Sequence, residues 1–176
     1  TCAERLLRTV RDKNDDPNTK GAATFALGQN FWSRATVASR SDDPTEATKL
    51  FEQSDAFFEE ILNDYPDLKI GNRPARDSVL QFLGRSATAD KVLRRYLEKD
   101  LDRDTKARVT FILAQAIKGQ VDKESLAKNE DHQKKLSAEA EQLLEQVIEE
   151  FGDLEYARDK RPDGTEVVTN YREVAK

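Results

Sequence analysis

A catalytic or metal-binding site needs convergent groups that change charge or donate electron pairs, and such groups are few in this chain. His132 is the only histidine and Cys2 the only cysteine. One imidazole excludes multi-histidine metal ligation and two-histidine acid–base chemistry. One thiol excludes an internal disulfide, a Cys-x-x-Cys motif and a thiolate cluster, and leaves the redox compartment unreadable. His132 stands among Glu130, Asp131, Gln133 and Lys134, a polar stretch in which a solvated side chain is expected. Cys2 allows a nucleophile, a lipid attachment point or an incidental cysteine, and no recognition sequence around it selects one.

Carboxylates are abundant, but Glu59-Glu60 and Glu149-Glu150 fall on the polar sides of amphipathic helices, where solvated faces account for them. The Asp-rich segments Asp12 to Asp16 and Asp100 to Asp104 lack the ligand spacing and closing glutamate of a calcium loop. Helix capping explains them better. Pro162-Asp163-Gly164-Thr165 reads as a turn. No catalytic, cofactor or metal site is predicted, and the chain is read as a non-enzyme.

Charge narrows the partners. The 34 acidic and 29 basic residues give a net charge of -5 and are intermixed along the chain, unlike a nucleic-acid footprint. No apolar run approaches the roughly 20 residues that span a bilayer, so membrane insertion is not expected. The chain begins at Thr1 and contains no methionine, so a processed form or a piece of a longer protein is expected.

The elements that would position any site are helices. With 37% hydrophobic and 36% charged residues but only seven glycines and five prolines, the composition favours helices joined by short turns. Ala47, Leu50, Phe51, Phe57, Phe58, Ile61, Leu62 and Tyr65 form one helical stripe, as do Ala140, Leu143, Leu144, Val147, Ile148 and Phe151. Weaker stripes run through Ala3, Leu6, Leu7 and Val10, and through Ala89, Val92, Leu93, Tyr96 and Leu97. Asp16-Pro17 and Asp43-Pro44 each place a capping acceptor before a proline at the first helical position, and Asp43 with Glu46 has capping-box spacing. Helices are predicted near 3–13, 17–38, 44–65, 74–84, 88–100, 104–127, 133–151 and from about 169 to the end. No segment reads convincingly as a strand; Glu166-Val167-Val168-Thr169 is the sole, short candidate.

The chain repeats itself. A shift of 86 residues lays Ala3 to Gln29 on Ala89 to Gln115 without a gap, with eleven of 27 positions identical, among them Asp16/Asp102, Thr19/Thr105, Thr24/Thr110, Phe25/Phe111, Leu27/Leu113 and Gln29/Gln115. About two would coincide by chance. The shift also carries Phe57 to Leu68 onto Leu143 to Leu154, so one domain of two tandem copies, 1–86 and 87–172, is expected. Within the copies Leu6, Phe57, Val92 and Leu143 begin similar helices at separations of 51, 35 and 51 residues. The shorter step is close to the roughly 34-residue period of helix-turn-helix repeats. A further step of 35 passes Lys176, which again predicts a fragment.

In these features the chain resembles the tetratricopeptide (TPR) family. That family's first-helix signature stands here as Leu27-Gly28-Gln29-Asn30-Phe31 and, more weakly, as Leu113-Ala114-Gln115-Ala116-Ile117. Its second-helix pattern is matched by Ser54, Phe58 and Pro66, and by Ala140, Leu144 and Gly152. Thr24 and Thr110 replace the family's tryptophan. The resemblance implies an all-α fold of antiparallel helix pairs forming a short right-handed superhelix of about seven to eight helices. A narrower cadence, Leu6-Leu7-Arg8, then Lys20 to Gln29, Ile148 to Asp153 and Tyr171 to Lys176, resembles the helical region preceding the thioredoxin-like domain of exported bacterial redoxin proteins. It implies an exported or periplasmic setting. It assigns no redox role to any residue here.

In the TPR-like register, burial of Leu27 and Leu113 between paired helices would turn Ala22, Phe25, Gln29 and Trp32 to the other face, with Arg108, Phe111, Gln115 and Lys118 doing so in the second copy. In TPR proteins that face lines a peptide-binding groove. Phe would supply apolar area and Gln would pair with a backbone amide. For both phenylalanines the favoured reading is packing against the preceding repeat's second helix. The expected function is a protein-interaction or scaffolding module whose partner is a protein, a peptide or its own downstream domain. The alternatives are a structural spacer or dimerisation appendage, and an enzyme with an unrecognised acid–base site. Oligomeric state is not legible.

Overall fold

The computed structural model describes residues 1–40, 44–126, 129–160 and 166–176. Asp43, with its capping box, and the turn at 162–165 lie outside the described residues. The chain is all-α: eight helices and two short antiparallel strand pairs are formed among the described residues. In order they are α1 (Cys2–Lys13), α2 (Pro17–Ala38), α3 (Pro44–Asp64), β1 (Lys69–Ile70), β2 (Arg73–Pro74), α4 (Ala75–Leu83), α5 (Asp90–Leu97), α6 (Arg103–Leu126), α7 (Glu130–Phe151), β3 (Glu155–Lys160), β4 (Glu166–Asn170) and α8 (Tyr171–Val174). Two compact units result, Thr1–Val92 and Leu93–Lys176, where the sequence copies divide after residue 86.

The long helices start where local chemistry directs. Asp16 accepts bonds from the Thr19 amide at 2.8 Å and the Thr19 hydroxyl at 2.6 Å, with Pro17 as the first helical residue. Asp102 accepts the same two bonds from Thr105, at 2.8 and 2.6 Å. The duplicated sequence thus reproduces a duplicated cap, in which one side chain satisfies an amide that the helix itself leaves open.

In the first unit α2 and α3 pack antiparallel. The space above Gly21 is filled by Tyr65 and Leu68, that above Gly28 by Phe58, and Ala35 clusters with Leu50 and Phe51. Leu27, Phe58, Val79, Leu80 and Leu83 are completely buried, so α4 closes the core begun by the pair. Phe58 stacks on Phe82 with centroids 5.1 Å apart, and Phe25 meets both rings at 6.1 and 6.2 Å.

Helix α1 is held differently, for it contains no buried residue. Phe31 and Phe57 stack at 5.6 Å; the Arg8 guanidinium lies 5.9 and 5.6 Å from the two centroids, with Arg11 at 5.5 Å from Phe57 and Arg34 at 5.1 Å from Phe31. Arg11 forks onto Glu60 at 3.2 and 2.8 Å, and Glu4 takes Arg8 and Arg34 at 3.1 and 3.2 Å. Two expectations are corrected here. Leu6 is 64% exposed and not part of an apolar seam, because α1 docks through cations over ring faces on its Glu4/Arg8/Arg11 side. Glu60 is not on a solvated face: it is half-buried and also accepts from the Thr24 hydroxyl at 3.4 Å.

In the second unit α6 and α7 pair, and Arg103 near the start of α6 reaches Asp153, just past the end of α7, at 2.9 and 2.6 Å. Ala107, Phe111, Val147, Phe151, Tyr171 and Ala175 form one buried cluster. The expected closing helix from about 169 is shorter, because Glu166–Asn170 is a strand paired with Glu155–Lys160. The hairpin is fastened to the end of α7 by the Tyr171 amide donating to the Leu154 carbonyl at 3.1 Å, and by Tyr156 meeting Phe111 and Tyr171 edge-on at 5.3 and 5.4 Å.

Candidate functional site

The α2–α3 crossing sets which face of α2 is left over. A side chain at Gly28 would put its Cβ 2.6 Å from the Phe58 ring, so only glycine permits this approach, and Ser54 exploits it by donating to the Gly28 carbonyl at 2.9 Å. Gly28, Ser54 and Phe58 therefore meet at one point. With that side of α2 buried, Asn18, Ala22, Gln29 and Ser33 are exposed. At 100° per residue they fall within about 60° of one another on the helix. At the start of this stripe lies an open depression of about 490 Å³ lined by Asn18, Thr19, Ala22, Asp67, Leu68 and Lys69.

Helix α6 leaves over the equivalent face. Asp104, Gln115, Lys118 and Gly119 are exposed and Arg108 is half-buried, so Gln29 and Gln115 occupy the same exposed position on duplicated helices. Phe25 and Phe111 are 4% and 3% exposed. They are core residues: Phe25 lies among Phe58 and Phe82, and Phe111 between Tyr156 and Tyr171. Trp32 is half-buried, its ring edge-on to Phe82 at 5.2 Å and its indole N–H buried without a partner among the described residues. Of the residues the register selects, Gln29, Gln115, Lys118 and Ala22 are presented outward and Arg108 partly so. Burial lifts the Tyr171 phenol to about 12 despite the opposing Arg108 charge, so this group stays neutral near pH 7.

His132 is exposed in the first turn of α7, and Cys2 is exposed at the start of α1. No group of three or more His, Cys, Asp or Glu is arranged to hold a metal among the described residues. No helix among them is long and apolar enough to cross a membrane.

One polar cluster lies outside the residues that the sequence motifs select. Asp55 on α3 is 3% exposed, and its Oδ2 accepts from the Ser86 hydroxyl at 2.8 Å and the Thr88 hydroxyl at 2.5 Å. Its Oδ1 is buried without a partner among the described residues. Burial raises its pKa to about 6, against the pull of the two hydroxyl donors, with Asp90 and Glu52 adding repulsion. The signal was present: Phe51, Ser54, Asp55 and Phe58 follow i, i+3, i+4, i+7 spacing, which places the acid on the apolar stripe.

The chain matches no family model, no curated protein and no solved structure.

Proposed function

We propose that this chain is a non-catalytic protein-interaction module in which the outer face of α2 in the first unit and that of α6 in the second each bind an extended protein or peptide segment. One observation carries the reading: two duplicated helices expose a glutamine at the same place, Gln29 and Gln115, each one turn after a buried phenylalanine, Phe25 and Phe111. An exposed glutamine offers both a donor and an acceptor to a backbone amide, and repetition suits a partner that is itself periodic. Asp67 and Lys69 beside the depression, and Arg108 and Lys118 on the second stripe, supply mixed charge for orienting it. The meeting of Gly28, Ser54 and Phe58 supports the TPR-like kinship, and the superhelical stacking and redoxin-like context implied by the resemblances belong to this proposal.

The test is selection of linear peptides from a random displayed library on the purified chain, followed by titration against Gln29→Ala and Gln115→Ala. Each lost amide contact is worth about 1 kcal/mol, so each substitution should weaken binding roughly fivefold, with Glu141→Ala as an unaffected control. Failure to select any peptide, or binding indifferent to both glutamines, would overturn the reading. A stable dimer in sedimentation that buries these faces would favour the appendage alternative.

A further inference from the structure

We propose that Asp55 is a proton-sensitive clasp that fastens the α4–α5 connection to α3, so that loss of its proton loosens that connection. The geometry is specific. Ser86 and Thr88 lie within the connection between α4 and α5, and both hydroxyls converge on the same oxygen of a carboxylate on a helix about thirty residues earlier in the chain (Ser86 to Oδ2, 2.8 Å; Thr88 to Oδ2, 2.5 Å). Ser86 is 6% exposed and Asp55 3%, with Thr88 half-buried, so the carboxylate itself is shielded from bulk water. Ala87, between the two donors, packs against the cluster of Phe31, Ala35, Leu50 and Phe51. Opening the clasp would therefore lift Ala87 off the core as well as hydrate the acid.

The chemistry sets the direction. Two hydroxyl donors are fewer than a buried carboxylate needs, and Oδ1 has no partner among the described residues. The charged groups that reach Asp55 are Glu52 on its own helix and Asp90 at the start of α5, and both are acidic. Burial, the largest influence, holds the acid in its protonated form up to about pH 6, whereas the same group released into water ionises in the ordinary carboxylate range. The closed clasp binds the proton more tightly than the open one. By linkage, closure is fully supported below the ordinary range, and the support is lost as pH rises through about 6. A pKa difference of about two units corresponds to a change on the order of 100-fold in the opening equilibrium.

The connection controlled in this way leads along the chain from the first compact unit into the second, whose boundary follows Val92.

Amide hydrogen exchange over residues 85–92, corrected for the intrinsic pH dependence of exchange, tests it between pH 4.5 and 8. The wild-type opening constant should rise at least tenfold across that range, with α7 as an unresponsive internal reference. Asp55→Asn, which keeps an acceptor for both hydroxyls but cannot ionise near neutrality, should be flat. A flat wild-type profile, or a rise that persists in Asp55→Asn, overturns the proposal. Thr88→Val provides the second arm if the asparagine variant does not fold: removing one donor should move the midpoint to higher pH, and an unchanged midpoint counts against the clasp.

Discussion

Gly28 shows how one hydrogen atom in place of a methyl sets the spacing of two helices. Glycine costs roughly 1 kcal/mol of helix propensity relative to alanine, and an exposed glycine in α2 would be improved by the exchange. Here the added Cβ would lie 2.6 Å from a Phe58 ring that is fully buried and stacked on Phe82. The ring has nowhere to retreat, and overpacking of this kind costs about 1–3 kcal/mol. The clash outweighs the propensity gain. Gly28→Ala should therefore lower stability by up to about 2 kcal/mol in denaturant titration, and a stabilised variant would show that the crossing relaxes freely. The equivalent site in the second copy is Ala114, fully buried, so tolerance of a methyl differs between the copies at one matched position.

Helix starts and helix docking obey different rules in the two copies. The starts share their chemistry: Asp16 with Thr19 and Asp102 with Thr105 form caps from the same two donors at the same distances. Asp16→Ala and Asp102→Ala should each cost about 1 kcal/mol, measurable as a lower thermal midpoint. Equal losses would mark the caps as interchangeable, whereas no loss at either would show that packing alone starts these helices. Docking diverges. Phe31 and Phe57 present a stacked face to the arginines of α1, but the shift of 86 residues replaces them by Ile117 and Leu143, and Arg11 by Leu97. Arg94, the counterpart of Arg8, instead pairs with Glu139 at 2.5 Å. Aliphatic faces have no quadrupole to attract a cation, so the same arginine position turned to a carboxylate.

At the level of the whole molecule, each unit has a core of its own. Leu27, Phe58, Ile61, Val79, Leu80 and Leu83 are almost fully buried within Thr1–Val92, and the Phe111, Val147, Phe151 and Tyr171 cluster belongs to the other unit. A contiguous core is what an independently folding segment requires. Residues 1–92 expressed alone should give a helical circular dichroism spectrum and a cooperative melt; a gradual, non-cooperative loss of signal would show that the first unit needs the second.

The long helices, their capped starts, the duplication and most of the α2–α3 core were legible in the sequence. They depend on period, propensity and capping, which act over a few neighbouring residues. Asp55 was legible too, had its place on the Phe51/Phe58 stripe been read as burial. Other features were decided only by tertiary structure. Glu155–Lys160 carries no alternating apolar pattern and becomes a strand because Glu166–Asn170 returns to pair with it, while Tyr156 finds Phe111 and Tyr171. Leu6 was left exposed because the arginines of α1 met stacked rings contributed by two other helices. Both outcomes depend on partners far apart in the chain, and local patterning carries no information about which distant surface a residue will meet.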